Sequence, residues 1–322
     1  MCQLFTLAHY SYWHIIHIST LLTLAFWHIS SYRCMETSEL LKKVRRIEIK
    51  TKGLSKNIFA GEYHSAFKGL GMTFAEVREY QYGDDIRSID WNVTARFGHP
   101  YIKVFEEERE LTVVLLIDVS GSRDFGSVSQ MKRDIFTEVA ATIAFSTIQN
   151  NDKIGVIFFS DKIEKFIPPK KGRKHVLQII RELIDFKPES NQTNIAAALR
   201  YFTNAIKKSS TAFIISDFID TNFEKEMIIA NRKHDVVALQ VYDAREAELP
   251  DVGLIKLKDA ETGRRIWVDT SDKRMRTTYK HSWGENQLAL QKTFTKSGVD
   301  SVSMTTSDDY VRALMKLFKM RA

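Results

Sequence analysis

Five side chains in this sequence offer hard oxygen atoms at places where an ion could collect them. They are Asp118, Ser120 and Ser122 in "LTVVLLIDVSGSRD", Thr193 in "SNQTNIAAAL" and Asp217 in "FIISDFID". Carboxylates and hydroxyls, with no sulfur or imidazole among them, match Mg²⁺, Mn²⁺ or Ca²⁺. Mg²⁺ keeps several waters and uses few carboxylates, so two acids and three hydroxyls suit it and leave at least one coordination position open. The plainer alternative is turn chemistry, in which Asp118 and the two serines cap backbone N–H groups at a strand end. Five hard donors from three separate loops favour the ion.

An alternating α/β chain would bring these residues together. Residues 111–118 form an apolar run of the kind found in a strand buried on both faces, with Asp118 at its carboxyl end. In open α/β sheets that end is where ligands bind. A strand turning sharply there puts Asp118, Ser120 and Ser122 on one side, while Val119 and Gly121 face away and Gly121 permits the turn. Downstream, the apolar pattern predicts a helix at about 128–149, strands in "KIGVIFFS" and "KIEKFIPP", and helices in "KHVLQIIRELIDF" and "NIAAALRYFTNAIKKS". It then predicts strand "TAFIISD", helix "NFEKEMIIANRK", strand "DVVALQVYD", a hairpin across 253–268 turning at Glu261-Thr262-Gly263, strand "VDSVSMTT" and helix "DDYVRALMKLFKM". Strands alternating with helices imply an α/β domain over 111–322 built on a doubly wound, mostly parallel sheet.

The 322 residues, 44% hydrophobic and 27% charged, can bury a sizeable core. A net charge of +7 favours acidic partners, anionic lipid or nucleic acid without choosing among them. The two cysteines, Cys2 and Cys34, leave everything after them without a disulfide framework, a thiol nucleophile or a Cys-based zinc site, as suits a reducing cytosol. Residues 1–34 stand apart: from Met1 to Tyr32 there is no Asp, Glu, Lys or Arg, and "YWHIIHISTLLTLAFW" is apolar enough to resemble a membrane span. No positive region precedes it, four of the nine histidines (His9, His14, His17 and His28) fall within these first residues, and at Met35 the chain turns abruptly polar. The expectation is a start assigned upstream of the true one at Met35, with a membrane anchor as the alternative. His14 and His17 share a helix face but have no carboxylate or cysteine partner, which makes a weak metal signal. Residues 36–50 read as an amphipathic helix, and 53–110, punctuated by six glycines, as a smaller strand-and-turn segment.

Asp-x-Ser-x-Ser, a later Thr and a later Asp, placed thus in an α/β chain, resemble the metal-ion-dependent adhesion site of von Willebrand factor type A domains, which are Rossmann-like. The stretch "GLGMTFAEVREYQYGDDIRSIDWNVTARFGHPYIKVFEEERE" resembles the signature of the domain-of-unknown-function 58 family, bacterial proteins in which this segment precedes such a domain. The resemblance runs from about Met35 to the end and divides the chain into a leader (1–34), a signature segment (35–110) and a von Willebrand-like domain (111–322). It implies that Ser120, Ser122 and Thr193 approach the ion directly, that Asp118 and Asp217 do so directly or through water, and that an acidic side chain of a partner protein completes the shell. It also implies that the partner is a MoxR-type AAA+ ATPase and the chain its adaptor or co-chaperone. Two departures stand out. Asn191-Gln192 precede Thr193 where such domains often have glycine, and Arg123 follows Ser122, where its charge would weaken an ion unless it turned to solvent or met an acid.

Within the signature, Arg78, Glu79, Asp84, Asp85, Arg87, Asp90, Trp91 and Arg96 could form a partner surface. Dense opposite charges around a Trp more often form a network joining segment to domain, and that is the expectation. "PPKKGRKH" and "DKRMRTTYKH" read as solvated basic faces, and "FEEERE" as a charged strand edge. No Gly-x-Ser-x-Gly elbow, phosphate-binding glycine loop or His-Glu-x-x-His occurs. The sequence therefore reads as a cytoplasmic, metal-dependent protein-binding protein and not an enzyme, membrane-associated only through residues 1–34. A metal-dependent hydrolase or phosphatase at the same rim, and a basic nucleic-acid-binding protein, are the competing functions.

Overall fold

A computed structural model describes residues 72–107, 111–126, 131–258 and 263–321. The apolar leader, the amphipathic helix expected at 36–50 and the turn residues Glu261 and Thr262 lie outside the described residues.

The first described segment is an antiparallel pair, β1 (Met72–Glu79) and β2 (Tyr101–Glu107), running from Met72 opposite Glu107 to Glu79 opposite Tyr101 with a register shift between Phe74 and Glu76. Between them lie a short 3₁₀ turn (Ile86–Ser88) and the two-turn helix α1 (Trp91–Phe97). Asp90 caps α1 by accepting from Asn92 and Val93 N–H, and Gly98 ends it in the left-handed conformation.

The α/β domain follows as β3 (Thr112–Asp118), α2 (Lys132–Gln149), β4 (Lys153–Phe159), β5 (Ile163–Lys170), α3 (Arg173–Asp185), α4 (Ile195–Ala205), β6 (Thr211–Ser216), α5 (Glu224–Lys233) and β7 (Asp235–Tyr242). The short helix α6 (Ala244–Ala247), the hairpin β8 (Leu254–Lys258) and β9 (Arg265–Asp269), helix α7 (Lys273–Ser297), β10 (Asp300–Thr305) and α8 (Tyr310–Arg321) complete it. The sheet runs β10-β7-β6-β3-β4-β5, parallel throughout except for the antiparallel edge strand β5. Counted from β3 within this sheet, the order is the 3-2-1-4-5-6 of a doubly wound fold, whose strand order reverses beside its first strand. The expected fold class is therefore the one observed.

β3 lies at the centre, and Val113 through Ile117 are completely buried, which is why the run shows no polar alternation. On one face Val114 and Leu116 join α4 (Leu199, Phe202), α5 (Met227) and α7 (Phe294) in a single cluster. On the other, α8 brings Phe318 to within 6.3 Å of Phe213 in β6. Helix α2 is buried over most of its length. Its hydroxyls escape the cost of burial by donating to carbonyls one turn back: Thr142 to Glu138 O at 2.8 Å and Ser146 to Ile143 O at 2.6 Å. At the edge, Pro168 and Pro169 interrupt β5 and discourage further pairing.

One element differs from the sequence expectation. The stretch "DKRMRTTYKH", expected as a solvated basic face, is largely exposed as expected but opens the 25-residue helix α7, capped by Asp272 and running to Ser297, which the sequence pattern did not predict. Only Phe294 and Ser297 of it are buried, so it carries almost no apolar stripe to betray it.

Candidate metal-binding rim

Asp118 ends β3 and Ser216 ends β6, the neighbouring strand, so the loops leaving both open at the reversal point of the sheet. Asp118 is buried, with Oδ1 accepting from Ser120 N–H at 2.9 Å and Oδ2 from the Ser216 hydroxyl at 2.7 Å. Burial first, and then the Asp217 carboxylate nearby, push its pKa up to about 7. Ser120 Oγ lies 3.1 Å from Ser122 Oγ, so the two hydroxyls converge as alternate positions should.

Backbone bonds tie the remaining loops to this one. Gly121 N–H donates to Asn191 O at 3.0 Å, which draws in the segment carrying Thr193. Ile195 N–H, at the start of α4, donates to Asp220 Oδ2 at 2.8 Å and so joins that segment to the loop after β6. Thr193 Oγ1 is buried and has no hydrogen-bond partner. An orphaned hydroxyl of this kind is uncommon and calls for an explanation.

Asp217 is fixed from several sides. Its Oδ1 accepts from Ile219 N–H at 3.3 Å, and its carbonyl accepts from Gln240 Nε2 at 3.3 Å. Phe218 holds a left-handed backbone, φ 57°, which is strained for a bulky residue. The Ser216 hydroxyl accepts its N–H at 3.0 Å, and its ring packs edge-on to Phe294 at 5.1 Å. Asp217 Oδ2 meets Lys132 Nζ at 2.7 Å, and the same ammonium lies 2.6 Å from Glu246 Oε1. Lys132 is fully buried; burial lowers its pKa, but Asp217 and Glu246 outweigh it and the net shift is upward. Glu246 Oε2 in turn accepts from Asp243 N–H at 2.9 Å, and Asp243 Oδ2 from the Thr306 hydroxyl at 2.8 Å.

The structure thus brings Asp118, Ser120 and Ser122 together, sets Asp217 beside Asp118, and ties in the Thr193 segment. Sequence reasoning missed Ser216, which directly precedes Asp217, and both Lys132 and Glu246. Arg123 does not turn to solvent, and Asp124 and Asp118 act on it electrostatically. It is buried, Nη2 donates to Phe186 O at 2.5 Å, and burial lowers its pKa.

Among the described residues no three His, Cys, Asp or Glu side chains gather into a metal-holding group. An ion here would rely on two carboxylates and three hydroxyls, a set of hard oxygens suited to Mg²⁺. The unpartnered Thr193 hydroxyl fits such a role, since a cation would give it the partner it lacks.

The signature residues mostly do local work. Arg78 grips Asp84 with two bonds of 2.8 Å, and Asp84 Oδ2 also accepts from Gln81 N–H at 2.8 Å. Asp85 accepts from Arg87 N–H at 2.9 Å, Asp90 caps α1 and meets Lys103 at 3.3 Å, and Glu79 accepts from the Tyr101 hydroxyl at 3.5 Å. These bonds close within the segment, whereas the expectation was a network joining it to the α/β domain. Arg87, Arg96 and Trp91 are exposed, Trp91 at 68%.

A family model described as "Protein of unknown function DUF58" matches residues 76–289. The chain is 28% identical over 292 residues to an uncharacterized protein of Mycobacterium tuberculosis, covering 89% of this chain and 91% of that one. Among solved structures it is similar to the conserved hypothetical protein BatB from Bacteroides thetaiotaomicron, at 16% identity and TM-score 0.46, over 66% of this chain and 98% of that one. It is also similar to the SpRpn10 VWA domain, at 12% identity and TM-score 0.36, over 66% and 95%.

Proposed function

This chain belongs to the DUF58 family, whose model covers more than half of it, and we propose that it is a metal-ion-dependent protein-binding adaptor. The observation that carries this reading is the buried, unpartnered Thr193 hydroxyl, on a segment that the Asn191 carbonyl ties to the loop of Asp118, Ser120 and Ser122. Mg²⁺ is the ion of choice, with Mn²⁺ or Ca²⁺ as substitutes, and a carboxylate from another protein takes the coordination position left open. Phe125, Met131 and Ile219, from the loops around these residues, are exposed at 41%, 45% and 54%, apolar surface suited to a protein partner. No membrane-crossing helix is found among the described residues, and the adaptor is taken to work in the cytoplasm. A MoxR-type AAA+ ATPase, implied by the family resemblance, is the proposed partner, with assembly or maturation of other proteins as the process.

The test is capture of the source organism's purified MoxR-type ATPase on the immobilised chain, in Mg²⁺ and in EDTA, with Asp118→Ala alongside. Retention only with Mg²⁺ and intact Asp118 supports the adaptor. Equal retention in every arm, or none, would overturn ion-dependent binding of that partner.

A further inference from the structure

Lys132 is the first residue of α2, and a cation there faces the positive end of the helix dipole. Its burial is also costly, so helix stability does not account for it. What the position offers is an ammonium shared between Asp217 Oδ2, 2.7 Å away on the loop after β6, and Glu246 Oε1, 2.6 Å away in the short helix α6 after β7. Asp118 lies beside Asp217, and Lys132 is the cation placed between Asp217 and Glu246. Arg123, also buried, adds a second positive charge whose field reaches Asp118.

From this arrangement we propose that Lys132 is a positioning residue that sets how strongly the rim holds a divalent ion. The proposal rests on the ion-binding reading above and deepens it. By holding Asp217 against Glu246, Lys132 keeps the ligand loop in place without a divalent ion. Its charge also repels a cation entering beside Asp217. The chain's own donors then retain an ion weakly, and a carboxylate from the partner supplies the missing negative charge. Ion and partner are therefore held together, and neither is held well alone. Glu246 works in the opposite sense, because its charge offsets that of Lys132.

The experiment titrates Mn²⁺ alone into the full-length wild-type chain and into Lys132→Met, Glu246→Gln and Asp118→Ala. Calorimetry reads affinity, and thermal midpoints are recorded with and without Mn²⁺. Lys132→Met is expected to bind Mn²⁺ at least tenfold more tightly than wild type and to gain more in midpoint from it. Glu246→Gln is expected to bind at least threefold more weakly. Unchanged or weaker binding in Lys132→Met, or tighter binding in Glu246→Gln, overturns the role given to Lys132 while leaving the ion site standing. Binding that is absent from both wild type and Lys132→Met, or unaltered in Asp118→Ala, overturns the ion-binding reading and this proposal with it. Should Lys132→Met fail to fold, Lys132→Gln carries the same expected sign, and Glu246→Gln decides the matter independently.

Discussion

Lys132 Nζ lies 2.7 Å from Asp217 Oδ2, and both side chains are shut off from solvent. Truncating one member of a buried ion pair leaves the other charged and unpaired, which costs about 3–5 kcal/mol. Lys132→Ala is accordingly expected to lose that much stability in urea denaturation with EDTA present. A loss below about 1 kcal/mol, the scale of an exposed pair, would mean that the pair does not hold the loop.

Gly155 in β4 has no room for a side chain: a Cβ there would lie 2.9 Å from Ile167 O and from two ring carbons of Pro169. Gly155→Ala should therefore destabilise the domain by about 1–3 kcal/mol, as overpacking does. Gly284, inside the exposed helix α7, has nothing within 4 Å of its would-be Cβ. There the same change should stabilise by about 0.5–1 kcal/mol. Denaturation of the two variants side by side checks both signs.

Much of this architecture can be read in the residues, because fully buried strands such as Val113–Ile117 and Ala212–Ile215 leave continuous apolar runs. The oxygen donors of the rim were legible too, since each sits at the end of such a run or just before a helix. Lys132 and Glu246 were not. They are 114 residues apart, and in sequence each looks like an ordinary surface charge. Only the parallel order of β3, β6 and β7 brings their loops to one rim. Helix α7 escaped notice for the opposite reason: with two buried residues in 25, it lacks the periodicity that reveals a helix.

His234 is buried beside the Phe202 ring, with Nδ1 3.0 Å from Ser210 Oγ, and burial holds its pKa down at about 4. The folded state therefore binds this proton less readily than the unfolded chain, whose value is 6.5. Above pH 6.5 the imidazole is neutral in both states and costs nothing; as pH falls from there towards 4, stability is lost. The full effect is about 3 kcal/mol. The stability difference between wild type and His234→Gln, followed from pH 7.5 to 4.5, should shift against wild type across this window. A difference that stays constant would show that His234 titrates alike in both states.

The central claim is that Thr193 serves an ion and not the fold, and Thr193→Val separates the two roles. The variant keeps the shape of the side chain and removes a hydroxyl that has no partner to lose. Relief of an unsatisfied buried group is worth about 1–3 kcal/mol, so in EDTA the variant should be as stable as wild type or more so. The decisive measurement is the thermal midpoint of wild type and Thr193→Val, each with EDTA and with saturating Mg²⁺. The expected result is a Mg²⁺-induced rise in wild type that is largely lost in a variant stable without the ion. An equal rise in both proteins, or a variant already unstable in EDTA, would contradict the account.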